Sequence, residues 1–172
     1  MAESTKKPDE TKSETKTPAP RTFLCVVDQS AEFGPALRYA CRRAKNTGGR
    51  MALLYVIEPA EFQHWLGVEN RMREEARANA EEMIRVIANV VQQRAGHIPV
   101  VYIREGKAQE QLIKLIDEER HISLLVLGAA TGTEGPGPLI TYLTQKGMSG
   151  KLRVPITIVP GNLNDEQIDA IT

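Results

Sequence analysis

The chain has 172 residues, which is the length of one domain with a single hydrophobic core. Its 22 lysine and arginine residues balance its 22 aspartate and glutamate residues, so no overall charge draws it to nucleic acid or to an anionic membrane. No apolar run approaches the ~20 residues that a membrane span requires, and the N-terminus lacks the apolar segment of a secretion signal. Cys25 and Cys41 lie in apolar segments without CxxC spacing, as buried thiols of a reducing compartment do. We therefore expect a cytoplasmic protein with no nucleic-acid and no membrane partner.

The first 21 residues are polar and end in a proline-rich stretch at 18–20. They hold no large apolar residue after Met1, so they cannot bury enough surface to offset the entropy lost on ordering. We predict a disordered tail over 1–21, one domain over 22–161 and a C-terminal extension over 162–172.

Five short apolar segments have the composition of strands that are buried on both faces of a parallel sheet. They cover residues 22–28, 51–57, 98–104, 123–127 and 156–159. Segments with apolar residues at helical spacing lie between them and predict four helices. Ser30 is placed to cap the first of these helices. The alternation predicts an α/β fold with a doubly wound, five-stranded parallel sheet and right-handed crossovers.

A small apolar patch is predicted on a short helix between the second strand and a long helix over 69–95. It consists of Phe62, Trp65, Leu66 and Val68. We interpret this patch either as part of a lid or partner surface, or as a hydrophobic anchor for the connecting loop.

The candidate site lies at the C-terminal ends of the strands, where open parallel sheets bind ligands. Asp28 follows the first strand, and Gly128 follows the fourth and opens a loop rich in glycine and threonine. If these two strands pair, Asp28 and Gly128 lie close together. The carboxylate could then take a hydroxyl, a base amine or a magnesium-bound water, or alternatively cap the adjacent helix.

No catalytic motif accompanies this site. His64, His97 and His121 are scattered without metal-ligand spacing. The sequence has no G-x-S-x-G elbow, no GK[ST] phosphate loop, and no G-x-G-x-x-G after the first strand. We therefore expect a protein that is not an enzyme and holds no metal through its own histidines.

Four segments together resemble the universal stress protein family. They are Phe-Leu-Cys-Val-Val-Asp-Gln-Ser at 23–30, Leu-Leu-Tyr-Val-Ile-Glu at 53–58, Leu-Leu-Val-Leu-Gly at 124–128 and Val-Pro-Ile-Thr-Ile-Val-Pro at 154–160. The resemblance implies a flavodoxin-like or adenine-nucleotide α-hydrolase-like sheet in the order 3-2-1-4-5. It also implies that Asp28 and Val56 are adenosine-contacting positions.

The resemblance weakens at the phosphate-binding motif of the family, G-x2-G-x9-G-[ST]. Gly128 matches its first glycine, but Thr131 stands at the second, one residue before Gly132, and the terminal Gly-[ST] falls near 142–143. Glu134 adds negative charge where phosphates would lie.

Several residues remain as candidate replacements for the lost phosphate contacts. The hydroxyls and amides around Thr131, Gly132 and Thr133 could still donate hydrogen bonds. Thr141 and Thr144 are further hydroxyls, and Lys107 is a candidate cation.

The resemblance also implies a homodimer in which the last strands pair antiparallel. The implied dimer edge consists of Pro155, Ile156, Thr157, Ile158 and Val159. An exposed apolar edge strand would otherwise promote aggregation.

Two main functional hypotheses follow, and a hydrolase is the least favoured third. The first is a regulatory module that binds ATP, another adenine nucleotide or a related small anion without fast turnover, with Mg²⁺ if the ligand is ATP. The second is a dimeric interaction protein of the stress response that binds no nucleotide and contacts a protein partner.

Overall fold

The computed structural model describes residues 20–58, 69–145 and 150–172. Within them, strands and helices alternate along the chain. The elements are β1 (Thr22–Val27), α1 (Phe33–Thr47), β2 (Arg50–Ile57), α2 (Glu69–Ala95), β3 (Val100–Glu105), α3 (Ala108–Glu118), β4 (Ile122–Ala129), α4 (Pro138–Thr144), β5 (Ile156–Pro160) and α5 (Asp165–Ala170). Residues 1–19 of the predicted tail and the predicted Phe62–Val68 patch lie outside the described residues.

The five strands form one parallel sheet in the order β3-β2-β1-β4-β5. Cys25 at the centre of β1 pairs with Leu53 of β2 and with Val126 of β4. The predicted doubly wound sheet and its order are therefore confirmed. Because the chain builds outward from β1 in both directions, the order reverses between β1 and β4, and a crevice opens there.

All six residues of β1 are buried, because helices cover both faces of the sheet. Successive side chains of a strand point to opposite faces. Phe23, Cys25 and Val27 accordingly join the core cluster that includes α1 and α2. Leu24 and Val26 join the cluster that includes α3 and α4. The near-continuous apolar sequence of β1 is thus explained by its place at the centre of the sheet.

Helix α1 begins at Phe33, and its N-cap position is Glu32, which makes no side-chain capping bond. The prediction that Ser30 caps this helix is therefore wrong. The Ser30 hydroxyl instead donates to Asp28 Oδ1 at 2.6 Å, which leaves it in the turn before the helix.

Among the described residues, no helix is long and apolar enough to span a membrane.

The sequence predicts no element over 162–172, and here the structure differs. Asn164 and Gln167 form a reciprocal capping box that starts α5. Ile168 is fully buried, so this short helix contributes to the core. The signal that would have found it is the Asn-x-x-Gln spacing, which is typical of a helix N-terminus.

Arg38 of α1 fixes α5 through two aspartates. Its Nε and Nη2 donate to the two carboxylate oxygens of Asp169 at 3.0 and 2.8 Å, and Nη1 lies 2.9 Å from Asp165 Oδ2. The hydrogen bond from Arg38 lowers the pKa of Asp169 from its ordinary value. A carboxyl with a lowered pKa stabilises the fold above its unfolded-state pKa, and this stabilisation is lost as the pH falls through the folded-state pKa. The α1–α5 contact therefore weakens in acid.

Candidate functional site

A cleft of about 480 Å³ opens at the C-terminal ends of β1, β2 and β4. Asp28, Val56 and Gly128, three of the residues predicted for the site, all line it. Ala108 at the start of α3 and Pro138 at the start of α4 complete the opposite side. The cleft therefore lies at the reversal point of the sheet, and its size is typical of a small-molecule site.

Apolar side chains form much of the cleft wall. Phe33, Tyr55 and Leu139 line it together with Val56. Aromatic and aliphatic walls of this kind suit a flat ring system better than a hydrated ion.

Asp28 is exposed at the end of β1 and holds the turn that follows. Its Oδ1 accepts hydrogen bonds from the Ser30 backbone amide at 3.0 Å and from the Ser30 hydroxyl. Asp28 thus stabilises the turn before α1, while Glu32 occupies the N-cap position of the helix itself. The carboxylate remains at the rim of the cleft.

Glu32 packs against two glycines at the ends of β4 and β5, a role that the sequence did not reveal. A Cβ atom added at Gly128 would lie 2.7 Å from the Glu32 carbonyl carbon and still closer to its oxygen. At Gly161 it would lie 2.6 Å from Glu32 Cβ and 2.9 Å from the Ala129 oxygen. The close approach that Gly128 permits is therefore an approach by the start of α1, whereas the sequence suggested an approach by a ligand.

Glu58, directly after β2, caps a helix from a distance of 50 residues. Its Oε1 accepts a hydrogen bond from the Ala108 backbone amide at 2.9 Å. Lys107, at the N-cap position of α3, makes no side-chain capping bond. The carboxylate of Glu58 therefore satisfies an amide that would otherwise lie free at the helix N-terminus.

The glycine and threonine loop does not bring all of its predicted residues to the cleft. Thr131, Gly132 and Thr133 are exposed and are not among the residues that line it. The loop reaches the cleft through Pro136 and Gly137, whose φ of 108° is readily adopted only by glycine.

The proposed replacements for the phosphate contacts are partly engaged elsewhere. The Thr144 hydroxyl donates to the Ile140 carbonyl at 2.8 Å. Lys107 is strongly exposed, and its Nζ lies 3.8 Å from Glu110 Oε1. Thr141 is exposed on α4.

The cysteine at the cleft is buried and holds its proton firmly. Cys25 lines the cleft, and burial raises the pKa of its thiol far above its ordinary range. Burial also raises the pKa of Cys41 to about 11. Because the thiolate is the nucleophilic form, neither side chain offers a nucleophile at neutral pH.

The described histidines have structural contacts. His97 Nε2 accepts the Met51 backbone amide at 2.9 Å, and His121 Nε2 lies 3.3 Å from the Tyr102 hydroxyl. His64 lies outside the described residues. In the described part of the chain, no group of three His, Cys, Asp or Glu residues could hold a metal ion.

Solved structures share this fold at low sequence identity. The universal stress protein UspA from Lactobacillus plantarum has a TM-score of 0.67 at 19% identity, with 83% of this chain and 99% of that chain covered. The universal stress protein from Archaeoglobus fulgidus in complex with dAMP has a TM-score of 0.56 at 14% identity, with coverage of 82% and 98%. A family protein from Arabidopsis thaliana with AMP bound has a TM-score of 0.54 at 12% identity, with coverage of 86% and 95%. No curated protein matches the chain.

The family assignment rests on the sequence as well as on the fold. The model of the universal stress protein family matches residues 20–159, which begins just before β1 and ends within β5. The match therefore includes β1 to β4, most of β5 and all the residues that line the cleft. This chain belongs to the universal stress protein family.

Proposed function

We propose that this protein is a cytoplasmic regulatory module of the stress response that binds an adenine nucleotide or a related small ligand in the cleft. The observation that carries the proposal is the convergence of Asp28, Val56 and Gly128 on one cleft of about 480 Å³. The family resemblance implies adenosine contacts at the first two of these positions, which supports the proposal. Two structures with the same fold, from Archaeoglobus fulgidus with dAMP and from Arabidopsis thaliana with AMP, support this ligand class.

The module is proposed to hold its ligand without fast turnover. Neither Cys25 nor a described histidine supplies a nucleophile or general base at the cleft. Mg²⁺, if ATP is the ligand, would rely mainly on the phosphates and on the carboxylate of Asp28, since the described residues offer no three-ligand cluster. Contacts from Thr131, Gly132 and Thr133 remain a prediction of the sequence.

Filling the cleft tests this proposal. Val56→Trp places a large side chain at the end of β2, inside the cleft, and should weaken adenosine and AMP binding at least about tenfold by calorimetry. Val86→Trp is the matched control, because Val86 is 54% exposed on α2 and does not line the cleft. Circular dichroism and a thermal melt would establish that both variants fold. Equal binding by the two folded variants would contradict the cleft as the ligand site.

The second candidate function is that of a dimeric interaction protein, and the exposed edge of β5 favours it. In the described part of the chain, β5 pairs with β4 on one side only. Ile158 is 44% exposed there, Pro155 is exposed, Ile156 and Thr157 are half-buried, and Val159 is buried. We propose that this edge pairs with a second copy of the chain.

Two variants, each with a lysine introduced on one edge strand of the sheet, test the dimer interface. Ile158→Lys should convert the dimer to a monomer in light-scattering measurements, because a buried, unpaired ammonium opposes strand pairing. Val101→Lys, at a residue 39% exposed on the opposite edge strand β3, should leave the dimer intact. A monomeric wild-type protein, or loss of the dimer with Val101→Lys alone, would contradict the β5 interface.

A further inference from the structure

We propose that the cleft selects an uncharged purine nucleoside over its polyphosphate. This inference rests on the proposed function, since it concerns the ligand class of the same cleft. It is carried by three features of the rim: its charge, its occupied backbone donors and its hydrogen-bonding polarity.

The rim of the cleft is acidic. Asp28, Glu32 and Glu58 all line it, and no lysine, arginine or histidine is among the described residues that do. The nearest cation along the chain, Lys107, is directed to Glu110 at 3.8 Å. A polyphosphate entering this cleft therefore meets like charge, and the repulsion is strongest at low ionic strength.

Cations near the end of β3 are also engaged. Arg73 Nε donates to Glu105 Oε2 at 2.7 Å, and Arg77 Nη1 lies 3.8 Å from Glu105 Oε1. Arg77 Nε also donates to Glu81 Oε1 at 3.1 Å, so the two arginines are matched by two carboxylates. Glu105 pairs in register with Ile57 of β2, which places its ion pairs at the C-terminal end of β3.

Two backbone amides at the cleft already donate hydrogen bonds to carboxylates of this chain. The Ala108 amide, at the N-terminus of the 11-residue helix α3, donates to Glu58. The Ser30 amide, in the turn after β1, donates to Asp28. A phosphate at either of these two amides would have to displace an internal anion, and the space beside Gly128 is filled by the Glu32 carbonyl.

The chemistry of the rim instead matches a nucleoside. Ionised carboxylates and backbone carbonyls only accept hydrogen bonds. The ribose hydroxyls and the exocyclic amine of adenosine donate them, whereas phosphate at neutral pH mainly accepts. The wall formed by Phe33, Tyr55 and Leu139 provides the apolar surface that a purine ring requires.

The test compares adenosine, AMP and ATP by isothermal titration calorimetry in EDTA, at low and at moderate NaCl concentrations. We expect adenosine to bind tightest and each added phosphate to weaken binding. Salt should strengthen ATP binding by screening the repulsion and leave adenosine binding unchanged. A phosphate-binding cleft lined by cations would show the opposite salt dependence.

Glu58→Gln provides the matched variant. The amide oxygen of glutamine can still accept the Ala108 amide, so α3 keeps its cap while the rim loses one charge. The ratio of ATP to adenosine affinity should therefore be about fivefold higher in Glu58→Gln than in wild type. Asp117→Asn removes an exposed charge from the same helix outside the cleft lining and should leave the ratio of ATP to adenosine affinity unchanged.

The outcomes separate the two proposals. Binding of ATP in EDTA as tight as that of adenosine, or weakened by salt, would overturn the selectivity and leave the proposed function standing. A ratio of ATP to adenosine affinity that is the same for Glu58→Gln and wild type would overturn the rim charge as the cause of the selectivity. Binding of none of the three ligands would contradict the proposed function itself.

Discussion

Gly128→Ala is expected to lower the free energy of unfolding by about 2–3 kcal/mol. The added methyl group would lie 2.7 Å from the Glu32 carbonyl carbon and closer still to its oxygen. The neighbour is backbone at the start of α1, which cannot rotate away as a flexible side chain can. Either β4 or α1 must shift, and both belong to the core of the fold.

Urea denaturation measures this effect, and Gly132→Ala, in the loop that follows β4, is the control. A Cβ at Gly132 meets nothing within 4 Å, so this variant should unfold within about 0.5 kcal/mol of wild type. If both variants lost the same free energy of unfolding, the contact with Glu32 would not explain the requirement for glycine at 128. Because Gly128→Ala disturbs the fold, loss of ligand by that variant alone would not identify a ligand contact.

Ile168→Ala is expected to lower the free energy of unfolding by about 2–4 kcal/mol, since it removes a fully buried side chain and leaves a cavity between α5 and α1. Ile171→Ala is the matched control, because Ile171 is 58% exposed at the end of the same helix and should cost less than about 0.5 kcal/mol. Thermal and urea unfolding of the two variants measure the difference. Similar values for both would mean that α5 is not packed on the core as described.

The apolar patterning of the strands was sufficient to predict the layered architecture. β1 reads Thr-Phe-Leu-Cys-Val-Val, and a strand without polar alternation has to be covered on both faces. The order of the strands was available only from the family resemblance, because local periodicity does not say which strands pair.

The parts of the site that escaped prediction are contacts between distant segments. Gly128 fits two explanations equally well in the sequence, close approach of a ligand and close approach of another part of the chain, and only the position of Glu32 distinguishes them. The hydrogen bond between Glu58 and Ala108 joins the end of β2 to α3, three elements later. No spacing rule relates those two residues.

The short C-terminal helix was missed for a different reason. Its one buried apolar residue, Ile168, gives no periodicity to recognise in a helix of six residues. The capping box of Asn164 and Gln167 was the only local signal, and such boxes gain weight when an apolar run follows them.

Different atoms of Glu32 serve the packing of the fold and the charge of the cleft. Its carbonyl and Cβ make the contacts with Gly128 and Gly161, and every amino acid except glycine supplies those same atoms. Its charge lies beyond the Cβ, on a residue that lines the cleft. Position 32 is therefore suited to protein engineering. Glutamine, lysine or serine there would change the electrostatic preference of the cleft for ligands, and the packing that joins β4, β5 and α1 would be retained.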